Sequence, residues 1–140
     1  MSQSLTKESR ATFLAIADRL IPAAEGMPAA SEAGVGDLLD RILSLRPDLG
    51  EAFSRGLASV LGHAPAEAAE TLHREDPEAL NTIGLVAAAA YYMTPRVRTL
   101  IGYPGQEKRV FDPDATPEYM TNGMLQRVID RGPIYRPTPT

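Results

Sequence analysis

The 140-residue chain carries a net charge of −4 and contains no cysteine. A chain of this length can bury one core unaided, and the missing thiols exclude disulfides, thiolate metal sites, iron–sulfur ligation and cysteine nucleophiles. The acidic balance argues against general nucleic-acid binding, and no apolar run reaches the roughly 18 residues of a membrane span.

Taken in order, the sequence predicts helices with clear start and stop signals. Thr6 is placed to cap a first helix over Lys7 to Leu20, with Phe13, Ile16, Ala17 and Leu20 on one face and Pro22 behind it. Ala23 to Ala30 reads as a loop. A second helix spans about Glu32 to Leu45, its true start near Gly36 and a short turn beginning at Ser31. A third runs from Asp48 to Leu61 and stops at Gly62, and a fourth, from Pro65 to Arg74, is expected at the periphery because Leu72 is its only large apolar residue.

Asp76-Pro77 opens the fifth helix, the most apolar of the chain, with Leu80, Ile83, Val86, Ala87, Ala90 and Tyr91 as its inner face. It is expected at the centre, with Leu85 to Ala90 wrapped by the other helices. Thr94-Pro95 repeats the cap-then-proline device for a short helix to Ile101, with Val97, Leu100 and Ile101 inward and Arg96 and Arg98 toward solvent or a partner. Tyr103-Pro104-Gly105-Gln106 has the pattern of a type II turn. Gln106 to Pro117 reads as a surface loop. Thr116-Pro117 begins a last helical region that Gly123 divides and Gly132 ends, with Met124, Leu125, Val128 and Ile129 as its stripe. Pro133 to Thr140, with Pro137 and Pro139, favours extended geometry.

The fold class expected is all-α: a compact single-domain bundle of about six or seven helices over residues 1–132, with an extended proline-rich arm over 133–140. Charge and composition are uneven along the chain. Residues 1–80 have net charge −6, residues 81–140 have net charge +2, and all five tyrosines and seven of the twelve prolines lie beyond Leu80. Tyr and Arg are enriched at protein interfaces, so the second half is the candidate docking region.

Chemical motifs are scarce. There is no GxGxxG after a strand and no phosphate loop. His63 and His73 stand ten residues apart, unlike the i, i+4 spacing that puts two imidazoles on one metal. The acidic pairs Asp37/Asp40, Glu67/Glu70 and Asp112/Asp114 read as solvated faces before they read as metal or acid–base sites. No catalytic, cofactor-binding or metal-ligating residue is therefore assigned.

Three stretches together resemble the gluconate 2-dehydrogenase subunit 3 family, the small subunits of bacterial flavin dehydrogenases. They are FLAIADRLIPA with SEAGVGDLLD, then AYYMTPRVRTLIGYPGQ, and the terminal RGPIYRPTP. The resemblance implies an accessory role without chemistry of its own. The partner would be a large flavoprotein subunit of the glucose-methanol-choline type that holds FAD and oxidises sugars, sugar acids or polyols. Electrons would leave through that subunit to a cytochrome or quinone system. By the same analogy Tyr91, Tyr92, Arg96, Arg98, Tyr103, Pro104, Ile134, Tyr135, Arg136 and Pro137 would lie at or near the contact. Many members carry a twin-arginine export signal. This sequence shows none, so the expected location is cytoplasmic, or periplasmic where a signal was removed or the partner carries one. The rival readings are a small helical enzyme built on Asp37 or Asp40, and a homo-oligomeric binding module.

Overall fold

The computed structural model describes residues 5–108 and 112–134. These residues form nine α-helices, more than the six or seven expected because short helices interrupt the longer ones, and no strand, in keeping with an all-α fold. In order they are α1 (Lys7–Leu20), α2 (Ala30–Ala33), α3 (Val35–Leu45), α4 (Gly50–Ser59), α5 (Pro65–Glu75), α6 (Pro77–Met93), α7 (Pro95–Leu100), α8 (Glu118–Thr121) and α9 (Gln126–Arg131). A 3-10 turn, Pro47–Leu49, precedes α4 where the sequence predicted continuous helix from Asp48. Chain contacts divide the protein into two units, Met1–Gly105 and Gln106–Thr140.

In the first unit, α6 contacts all of α1 to α5 and also α7. The sequence explains its place. Asp76 caps it by accepting from the Ala79 N–H at 3.1 Å, and Pro77 fills the first turn, where no backbone donor is needed. Ile83, Val86, Ala87 and Ala90 are wholly buried. Small side chains bring the neighbouring helix in. A Cβ built on Gly56 of α4 would lie 2.6 Å from the Ala79 Cβ. The rest of the core comes from Phe13 and Ile16 of α1, Val35 and Leu39 of α3, and Phe53 and Leu57 of α4, with the Phe13 and Phe53 rings 5.4 Å apart. The expected peripheral helix α5 does pack inward through Ala68 and Leu72 against α1 and α6.

One further helix start uses a partner from elsewhere. Ala29 precedes α2 and has no capping oxygen. The Asp18 carboxylate of α1 takes that role, accepting from the Ser31 N–H and hydroxyl at 2.7 Å each. Asp76 also receives Arg55 at 2.8 Å, which together with the cap bond holds its carboxyl below the usual carboxylate range.

Several inward assignments do not hold. Leu85 is 48% exposed, because the surrounding helices cover α6 on its other sides. Leu100 and Ile101 are exposed; a helix of six residues offers the core little more than one position, and Val97 takes it. Leu20 is likewise exposed at the end of α1.

In the second unit, α8 and α9 are separated by Gly123, with φ 82°, and α9 ends at Gly132, with φ 66°, so both turns use the positive φ that glycine adopts freely. Thr116 does not cap α8; Pro117 itself stands at the N-cap position. The predicted stripe of Met124, Val128 and Ile129 faces outward, with Leu125 half-buried. Helices of four and six residues present too little apolar surface to close a core, and none of this unit's described residues is buried.

Candidate partner-docking surface

The end of α6 and all of α7 are built by short-range rules. Thr94 is buried and does double duty: its hydroxyl donates to the Tyr91 carbonyl at 2.8 Å and its oxygen accepts from the Val97 N–H. This ends α6 and starts α7 with Pro95 in the first turn. The Tyr103 N–H then reaches the Arg98 carbonyl at 2.8 Å and the Gly102 N–H the Thr99 carbonyl at 3.1 Å, a Schellman closure with Gly102 left-handed. Gly105 has φ 90°, as a type II turn requires, and the Arg98 guanidinium fills the space its side chain would need. Arg98 stacks 5.3 Å from the centre of the Tyr103 ring.

Of the residues predicted for the contact, Tyr91 turns into the core of the first unit, while Arg96 stays exposed with its guanidinium bound to a backbone carbonyl. Tyr91 is buried, and its hydroxyl donates to the Pro28 carbonyl at 2.8 Å. Burial, reinforced by neighbouring Tyr92, raises its pKa above the ordinary tyrosine value, while Arg96 opposes the shift. Arg96 donates to the Glu32 carbonyl at 3.0 Å, satisfying one of the free acceptors at the end of α2. Tyr92, Tyr103 and Pro104 do lie on the surface, with Tyr92 meeting Tyr91 edge-on at 5.5 Å. Ile134 is 70% exposed in the second unit, and Tyr135, Arg136 and Pro137 lie outside the described residues.

Along α6, α7 and the turn that follows, the exposed apolar side chains are Leu85 and Tyr92, seven residues apart on one face of α6, together with Met93, Leu100, Ile101 and Tyr103; Leu20, Leu45 and Leu61 are exposed elsewhere in the first unit. The acidic pairs form no comparable focus. Both Asp40 oxygens accept from Arg10, at 2.6 and 2.7 Å, and among the described residues no three His, Asp or Glu side chains gather as metal ligands. His73 lines an open groove of about 550 Å³ with Arg19, Leu20 and Arg74, on the surface between α1 and α5.

The sequence model of gluconate 2-dehydrogenase subunit 3 matches residues 7–97, about two thirds of the chain. The chain belongs to the gluconate 2-dehydrogenase subunit 3 family. No curated protein and no solved structure matches it. The family match contains Tyr91, Tyr92 and Arg96 and ends at Val97, so Arg98, Tyr103, Pro104 and the terminal RGPIYRPTP lie beyond it. The family takes its name from one subunit of a multi-subunit dehydrogenase, and a subunit needs a surface for its companions. Among the described residues no helix is long and apolar enough to cross a membrane.

Proposed function

We propose that this chain is a non-catalytic small subunit that binds, stabilises and helps mature the FAD-containing catalytic subunit of a sugar, polyol or sugar-acid dehydrogenase. In this reading the partner holds FAD and passes electrons on to a cytochrome or quinone. The observation that carries the docking part is on α6. A helix apolar on every side is normally enclosed, yet here Leu85 is 48% and Tyr92 59% exposed. The described part of Gln106–Thr140, which exposes Met120, Met124, Val128, Ile129 and Ile134 and buries nothing, fits an arm that gains its core from another chain. Stable obligate interfaces run to roughly 2,000 Å² and more, and a small body with an arm can reach that area.

The test is co-purification with the flavoprotein subunit. Leu85→Glu and Tyr92→Asp each place a charge on the exposed face of α6. Both variants are expected to keep their helical circular dichroism and to lose at least about tenfold in affinity for the flavoprotein, since an unpaired charge at an interface centre is costly to desolvate. Undiminished assembly by both variants contradicts docking through α6.

A further inference from the structure

The loop between α1 and α2 contains a small device that the docking face on α6 does not explain. Ala24 and Met27 exchange both backbone hydrogen bonds, N–H to carbonyl, at 3.1 and 2.8 Å. The two residues between them, Glu25 and Gly26, have φ of 50° and 83°. Positive φ at both central positions is the type I′ hairpin pattern, which favours Asn-Gly or Gly-Gly. Among the described residues Glu25 is the one non-glycine with positive φ, and a long side chain there sits in a disfavoured region. The hairpin is also held at its base. The Ala30 N–H reaches the Ile21 carbonyl at 3.1 Å, Ile21 and Met27 pack against the core, and the buried Tyr91 hydroxyl holds Pro28. Pro22, Ala23, Ala24, Glu25 and Gly26 are all exposed, so a rigid base carries a tip of small side chains and one carboxylate. That carboxylate enters none of the ion pairs of the described residues. Tyr91 links the base to the docking face, because its ring meets the exposed Tyr92.

A strained side chain on a rigid exposed turn calls for a role that strain serves. We infer that the Ala24–Met27 hairpin is a second contact point for the partner subunit, a finger whose Glu25 carboxylate enters an Arg- or Lys-lined recess. The inference rests on the docking reading proposed above. Pre-organised geometry suits such a contact, since a fixed tip loses little entropy on binding. The charge has the right sign for a basic recess, because the half of the chain that carries the hairpin has net charge −6.

The experiment titrates the full-length chain and its Glu25→Gln and Glu25→Asn variants into the FAD-loaded catalytic subunit, at low and at moderate salt, with melts of each chain alone. Asn adopts the left-handed region more readily than Glu, so Glu25→Asn is expected to melt higher than the wild type yet bind about tenfold more weakly. Glu25→Gln is expected to melt as the wild type, to bind about tenfold more weakly, and to lose most of the salt dependence of binding. Wild-type affinity in both variants overturns the finger while leaving docking through α6 intact. Failure of the wild-type chain to bind the flavoprotein overturns the docking reading, and the finger with it.

Discussion

Tyr91 shows how one side chain can define a surface from beneath it. Its hydroxyl crosses 63 positions of sequence to hold Pro28, and its ring supports Tyr92. Tyr91→Phe keeps the ring and leaves the Pro28 carbonyl without its donor, an expected loss of about 1–2 kcal/mol read in urea or thermal melts. The raised pKa of Tyr91 gives the pH dependence a sign. Above about pH 10 the unfolded tyrosine gives up its proton while the folded one keeps it, so stability falls as pH rises toward the folded value. The alkaline limb is expected to be shallower in Tyr91→Phe. Asp76 has the opposite sign. Arg55 and the cap bond hold its folded pKa low, so its contribution is complete above about pH 4 and disappears as pH falls through the folded value. Asp76→Asn, which can still cap α6, is expected to lower the melting temperature at pH 6 and to flatten its decline below pH 4; equal acid limbs would mean that Arg55 does not hold this carboxylate.

At the scale of elements, α4 and α6 meet at a glycine. Gly56→Ala would drive its new Cβ to 2.6 Å from Ala79, and neither backbone can move without opening the core. The expected loss is about 1–3 kcal/mol, measured by thermal melt, and an unchanged melting temperature would mean that the two helices are free to separate. This scale also separates what is legible in a sequence from what is not. The bounds of α1 and α6 follow from Thr6, Asp76-Pro77 and Thr94-Pro95, because caps and prolines act within one turn. The short turn at Ser31 follows from the helix cost of the glycines behind it, and α3 starts at Val35, one residue before the expected Gly36. Which face of α6 stays bare could not. Leu85, four alanines and two tyrosines surround that helix with apolar groups, so periodicity does not choose a side, and coverage depends on distant helices. The Glu25 hairpin was hidden for a related reason. Glu-Gly is not a strong turn signal, and its bonds depend on a loop whose base is fixed by Tyr91. The partners of Arg96 and Arg98, a helix-end carbonyl and a ring in the following turn, are set by folding and leave no short-range signal in the sequence.

The whole molecule pairs a packed unit with one that has no buried described residue. Removing Gly132 to Thr140 is expected to leave the helical melt of the chain unchanged and to weaken assembly with the flavoprotein; full-strength assembly by the shortened chain would remove the arm from the account. Membership of the gluconate 2-dehydrogenase subunit 3 family makes a dehydrogenase assembly the natural setting, and the proposed mode of action is support of a flavoprotein through surface alone. The direct measurement is co-expression of the tagged chain with a candidate FAD-containing subunit, purification through the tag, and an absorption spectrum with light scattering. A yellow complex with flavin bands and a much larger second chain is the predicted result. A colourless species containing only this chain, monomeric or self-associated while the flavoprotein folds and loads FAD without it, would contradict the accessory-subunit account.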